Sequence, residues 1–158
     1  MKDKVLSLYE LLRIVGEIRA GGKGHRSKIV FTNGCFDIIH AGHIKYLQEA
    51  RALGDILIVA VNSDDSVRRL KPRRPIVPQA ERALVLSALE AVDYVLIFNE
   101  DTPLETISAL RPDVLVKGGD WKKEDIVGSA LVPEVYSLPY VEGMSTTGII
   151  DKILEAYN

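Results

Sequence analysis

The sequence predicts an α/β protein built on a doubly wound, five-stranded parallel sheet. Short apolar runs alternate with segments whose apolar residues recur at helical spacing, as successive right-handed βαβ crossovers require. One run, Ile56-Leu57-Ile58-Val59-Ala60-Val61, is apolar without interruption, the composition of a strand buried on both faces. At 158 residues, the chain allows one core and leaves little room for a second. No internal repeat or low-complexity segment interrupts it.

Val5, Leu8, Leu12, Val15 and Ile18 recur at helical spacing, with Glu10, Arg13 and Glu17 between them, and predict an amphipathic helix over the first twenty residues. Gly21-Gly22-Lys23-Gly24 ends it, because glycine tolerates the left-handed conformation of a helix stop. Residues 1–25 therefore form a helix and a glycine-rich connector within a single domain spanning 1–158. These glycines do not make a P-loop: none stands five residues before the Gly-Lys pair, and they precede the first strand. Lys28–Thr32 is the first strand, and His40 to Leu53 a helix ending near Gly54. Ile56–Val61 is the second strand, Pro78 to Leu89 a helix and Tyr94–Phe98 the third strand. Pro103 to Leu110 is helical, with Thr102 as N-cap and Pro103 at the first position. Val114–Val116 and Glu134–Leu138 complete the strands, and a last helix runs from about Ser145 to Ala156.

Twenty Lys and Arg stand against twenty-two Asp and Glu, with 27% charged and 47% hydrophobic residues. That balance argues against disorder, a collagen-like chain or a strongly basic nucleic-acid binder. The single cysteine, Cys35, excludes an internal disulfide framework and suits a reducing compartment. No apolar run approaches the ~20 residues that span a bilayer. Glu10, Arg13 and Glu17 break up any secretory leader, so a cytoplasmic protein with no membrane or nucleic-acid partner is expected.

In a doubly wound sheet, ligands bind beyond the carboxyl ends of the strands. After the first strand, Thr32-Asn33-Gly34-Cys35-Phe36-Asp37 leads to His40-Ala41-Gly42-His43, and the dinucleotide fingerprint G-x-G-x-x-G is absent. Three residues apart at a helix start, the two imidazoles share a face, and Gly42 leaves space for a phosphate. A helix N-terminus adds free N–H groups and positive potential, which suits the phosphates of a nucleotide. A metal site is the weaker reading, since no third histidine or cysteine has the spacing. Cys35 lies among apolar residues, where cysteine usually behaves as a small buried hydrophobe. After the second strand, Arg68, Arg69, Lys71, Arg73 and Arg74 concentrate positive charge in a slightly acidic chain.

His40-Ala41-Gly42-His43 resembles the HxGH signature of the nucleotidylyltransferase superfamily, whose fold is Rossmann-like. The resemblance extends, in particular, to the adenylyltransferase domains of bacterial ADP-heptose synthases. It covers Thr32–Asp37, Ala60–Asp64, Arg69-Leu70-Lys71, Leu89–Asp93, Glu100–Pro103, Lys117–Asp120 and Ser145-Thr146-Thr147, nearly all the chain from Lys28 onward. It implies AMP transfer from ATP to D-glycero-β-D-manno-heptose 1-phosphate. The chemistry of such a transfer calls for Mg²⁺, since phosphoryl oxygens need charge neutralisation, with the ion carried by the ATP phosphates and no metal held by the protein itself. His40, His43 and Lys71 are then the catalytic residues. Thr32, Asn33, Gly34, Phe36, Gly42, Asn62, Ser145, Thr146 and Thr147 would bind nucleotide. Asp37, Lys45, Lys117, Gly118, Asp120, Trp121 and Arg82 would serve the acceptor, with Asp37, Lys45 and Arg82 open to purely structural roles. Family members are often fused to a sugar kinase, so a separate kinase is expected, and a homodimer is the expected assembly. A cytidylyltransferase acting on glycerol 3-phosphate is the enzymatic alternative, and a non-catalytic nucleotide-binding module the other.

Overall fold

The computed structural model describes residues 3–21 and 26–158; Gly22, Lys23 and Gly24, expected to end the first helix, lie outside them. The elements are α1 (Leu8–Ala20), β1 (Ile29–Gly34), α2 (Ala41–Arg51), β2 (Ile56–Asn62), α3 (Asp64–Leu70), α4 (Gln79–Ser87), β3 (Tyr94–Phe98), α5 (Leu104–Leu110), β4 (Val114–Gly118), β5 (Glu134–Leu138) and α6 (Thr146–Tyr157). All five strands are parallel, in the order β3-β2-β1-β4-β5.

The order reverses between β1 and β4, which puts the switch point of the sheet at their carboxyl ends. The alternation along β1 divides the core in two. Ile29 and Phe31 pack with Leu11 and Val15 of α1 and with Ile107 and Leu110 of α5. Val30 faces Leu47 and Ala50 of α2 and Ala83 and Leu86 of α4. With both faces covered, Leu57 to Val61 of β2 are fully buried, as their uninterrupted apolar character requires. Among the described residues no helix is long and apolar enough to cross a membrane.

Four expectations need correction. The first helix starts only at Leu8, where Ser7 and Glu10 form a reciprocal capping box. Val5 lies outside it in an extended segment that bridges Val95, with Leu6 N–H donating to Val95 O at 2.9 Å. Gly21, the C-cap of α1, keeps right-handed helical angles. Asp64–Leu70, expected as loop, is the helix α3, capped by the Ser63 hydroxyl with acidic residues in its first turn and arginines in its last. Thr102 caps nothing: α5 begins at Leu104, with Pro103 in the cap position and no side-chain hydrogen bond there.

Candidate active site

β1 delivers the chain to a tight turn, in which Phe36 and Ile38 have φ of 50° and 48°. The turn presents His40 as the N-cap of α2. His40 Nδ1 accepts the Gly42 N–H at 3.1 Å, and His43 Nδ1 accepts the His40 N–H at 3.3 Å. Because each Nδ1 is an acceptor, each ring carries its proton on Nε2. The rings stack with centroids 4.0 Å apart at 33°. A Cβ on Gly42 would sit 2.9 Å from His40 Cε1 and 3.1 Å from Met144 Cβ, so in this structure the glycine makes room for the imidazole and for the turn before α6. Burial lowers the His40 pKa. For His43 burial is the largest cause, joined by His40 and Lys71, and its pKa falls to about 4. Both imidazoles are therefore neutral near pH 7.

Asp37, 3% exposed, joins three segments. Burial works against its charge, but the N–H groups of Ile76 and Val77, each at 2.9 Å, and Arg74 Nη1 at 3.0 Å hold its carboxyl below the usual range. Its backbone carbonyl accepts the Thr146 hydroxyl at 2.7 Å, tying the β1 turn to the start of α6. There Ser145 Oγ accepts the Gly148 N–H at 2.9 Å, the ordinary N-cap bond. Arg74 Nη2 reaches Thr147 Oγ1 at 3.4 Å.

Lys71 is the C-cap of α3 and exposed. At the end of β4, burial lowers the pKa of Lys117, whose ammonium lies 5.8 Å from the Trp121 ring centroid. The Trp121 indole N–H donates to Gly118 O at 3.1 Å, over a Gly119 with φ of 115°. These segments surround one cavity of about 960 Å³ at the switch point. Of the expected site residues, Asn33, Gly34, Phe36, Asp37, His40, Gly42, His43, Asn62, Lys71, Lys117, Gly118, Trp121 and Ser145 to Thr147 line it. The imidazole pair and the hydroxyl-bearing turn thus converge.

Four expected residues lie outside the lining. Thr32 is buried, with its hydroxyl 2.5 Å from the Tyr46 hydroxyl. Lys45 and Asp120 are exposed. Arg82 is 1% exposed and works as a clamp: its guanidinium donates to Val77 O, Cys35 O, Asn62 O and Asp64 Oδ1, all within 2.9 Å. A cation so enclosed orders the turns after β1 and β2 and has no face for a substrate. Arg74, Tyr46 and Tyr140 line the cavity and were not expected there. Arg74 stood in the charge run, but nothing in a run tells which cation faces inward. Tyr46 lies three residues after His43, a spacing that put it within reach.

A doubly wound sheet whose switch point is flanked by two capped helix N-termini and three cations defines a nucleotidyltransferase-type domain. Residues 31–152 match the family described as cytidylyltransferase-like, and the chain belongs to that family. It is 56% identical over 153 residues to the Bifunctional protein HldE of Wolinella succinogenes, covering 96% of this chain and 31% of that protein. Against the Bifunctional protein HldE of Campylobacter concisus the identity is 56% over 158 residues, covering 99% and 32%. The chain thus spans about a third of the length of these curated relatives. Among solved structures, a lipopolysaccharide core biosynthesis protein from Thermoplasma volcanium aligns with a TM-score of 0.63 at 30% identity, covering 73% of this chain and 99% of that one. A pantoate-beta-alanine ligase from Francisella tularensis shares the fold alone, with a TM-score of 0.58 at 13% identity over 98% of this chain and 78% of its own.

Proposed function

We propose that this domain transfers AMP from ATP to D-glycero-β-D-manno-heptose 1-phosphate, releasing pyrophosphate and ADP-heptose. The observation that carries the reading is the convergence of two imidazole Nε2–H donors and the α6 N-terminus on one cavity. The HldE relatives and the lipopolysaccharide core biosynthesis structure support heptose as the acceptor class.

The acceptor's phosphate oxygen attacks the α-phosphorus of ATP, and the bond from that phosphorus to the oxygen bridging to the β-phosphate breaks in line. A phosphate monoester has a second pKa of ~6, so the nucleophile is ionised without a protein base. The chain's task is to bring two polyanions together and stabilise the charge that develops. His40 and His43 donate from Nε2 to α-phosphate oxygens as neutral groups. Lys71, near enough to lower the His43 pKa, supplies positive charge beside the imidazoles. Ser145, Thr146 and the free N–H groups of α6 hold the β- and γ-phosphates. Lys117 and Trp121 frame the acceptor.

Mg²⁺ would enter on the ATP oxygens, where it neutralises the departing pyrophosphate. The proposed setting is the cytoplasm, where ATP is supplied. The test is incubation with a panel of sugar 1-phosphates and glycerol 3-phosphate, each with ATP or CTP, followed by mass analysis of products. ADP-heptose is expected; a CDP product from glycerol 3-phosphate would replace this reading with the cytidylyltransferase one.

A further inference from the structure

Five cations crowd residues 68–74, yet only Lys71 and Arg74 line the cavity. Arg68 pairs with Asp65 at 2.7 Å, away from the cavity, and Arg69 is held at 2.7 Å by Asp101 on the cavity wall without itself lining it. Arg74 differs in kind. Its side chain is 16% exposed, and its Nη1 is held by a carboxylate 3% exposed, so the guanidinium has a fixed place rather than a solvated one. The partner is Asp37, in the turn that carries the imidazoles, and Nη2 points towards Thr147 at the start of α6.

The two contacts are unequal. Nη1 to Asp37 is a charge-assisted bond at 3.0 Å, whereas Nη2 to Thr147 is a 3.4 Å contact with a neutral hydroxyl, at the outer limit of a hydrogen bond. A guanidinium has five N–H groups, and among the described residues these two contacts are its only recorded hydrogen bonds. The charge is anchored along one edge and underused along the other, and that other edge lies beside the first turn of α6. Planar N–H forks match phosphate oxygens two at a time, which the point charge of Lys71 does not do.

We propose that Arg74 is a substrate-contacting residue, which grips the β- and γ-phosphates of ATP, and hence the leaving pyrophosphate, through Nη2 while Asp37 keeps hold of Nη1. The inference rests on the adenylyl-transfer reading of the cavity and adds the group that holds the leaving half of the nucleotide. Because Asp37 also accepts the Thr146 hydroxyl, one anchor sets the guanidinium and the α6 turn relative to the imidazoles. Arg74 has no part in holding the adenosine or the α-phosphate.

The test is calorimetric titration of the wild type, Arg74→Gln and Arg74→Lys with inorganic pyrophosphate and, separately, with AMP. Pyrophosphate affinity is expected to fall at least tenfold in Arg74→Gln, and by less in Arg74→Lys, which keeps the charge but loses the fork. AMP affinity should stay within twofold throughout. Equal weakening for both ligands would make Arg74 a merely structural tether and overturn the proposal, as would pyrophosphate binding within twofold of wild type in either variant. If Arg74→Gln does not fold, Arg74→Lys decides by its own ratio of pyrophosphate loss to AMP loss. A wild type that binds neither ligand, and releases no pyrophosphate from ATP with any acceptor, would instead remove the adenylyl-transfer reading itself.

Discussion

His43 makes the protein labile to mild acid, in a window its environment defines. In the unfolded chain its pKa is near 6.5, and in the folded protein it is pushed down to about 4. Between those values the unfolded state binds a proton that the native state does not, so stability rises with pH across the window. The stability is complete above pH 6.5, declines as pH drops towards 4, and loses nothing further from this group below that. The gap is worth at most about 3 kcal/mol, and the ring's partial solvent access reduces this to about 2 kcal/mol. In a domain of this size 1 kcal/mol moves the melting temperature by ~2–4 °C, so about 4–8 °C rests on His43. The groups facing it are His40, Lys71 and Asp37. Asp37, whose pKa is lowered, also loses stability as pH falls, but below the ordinary carboxylate range, outside this window. The measurement is thermal unfolding of wild type and His43→Gln at several pH values from 7.5 to 4.5. Glutamine keeps an oxygen that can accept the His40 N–H but cannot titrate. The wild type should lose about 4–8 °C more than the variant across the range. Parallel curves, agreeing within about 1 °C, would refute the claim that the ring is held neutral.

Further outcomes follow from the same geometry. His40→Ala should lower the rate of pyrophosphate release by ~10²–10³, the usual loss on removing one fixed donor to a developing charge; a loss below threefold would count against the donor role. Gly42→Ala should cost both stability and activity. Its Cβ, 2.9 Å from His40 Cε1 and 3.1 Å from Met144 Cβ, turns the ring and breaks the cap bond from the Gly42 N–H, which should cost about 1 kcal/mol in a urea titration and cut kcat about a hundredfold. Arg82→Met strips a fully buried cation from one carboxylate and three carbonyls, which should cost about 3–5 kcal/mol in a urea titration.

Periodicity and composition made the sheet legible: β3 is a short apolar run between Asp93 and Asn99, β5 is a five-residue segment set between Pro133 and Pro139, and the ends of both fall where the sequence placed them. Val5 misled because its spacing from Leu8 and Leu12 is helical while its pairing with Val95 is a long-range contact that no local pattern encodes. The Ser7-Leu8-Tyr9-Glu10 capping box was readable and marks the true start. α3 was missed because its charges read as a solvated loop, although Ser63, the acidic pair Asp64-Asp65 and the pair Arg68-Arg69 together form a helix signature. At the site, residues carried by backbone motifs landed as expected: the His40 and Ser145 caps are local events. Arg82 and Arg74 could not be told apart by sequence, since both are arginines near the same loop. Only tertiary packing decides that one is enclosed by carbonyls and the other faces the cavity.

The turn that positions the imidazoles is strained, and the strain explains why so many bonds meet at Asp37. Phe36 and Ile38 both occupy the left-handed region, which for a β-branched residue such as Ile38 is unfavourable. Two such residues cost on the order of 1–3 kcal/mol each, so the turn would relax unless its surroundings held it. Phe36 is 6% exposed and packs in the core between the sheet and α2, which fixes one side. Asp37 fixes the other, with two backbone N–H groups, a guanidinium and the Thr146 hydroxyl all converging on it. Arg82 holds the carbonyl of Cys35 just before. Three of these partners, Arg74, Ile76 and Val77, lie beyond α3 in the segment leading from Lys71 to α4, and Thr146 opens α6. The bonds that restrain the strained turn therefore also fix the distance from the imidazoles to the lysine and to the hydroxyls. Asp37→Asn would keep the side chain's size but lose its charge and one acceptor oxygen. It should then disturb the mutual placement of all three groups and lower kcat more than it lowers the affinity for AMP.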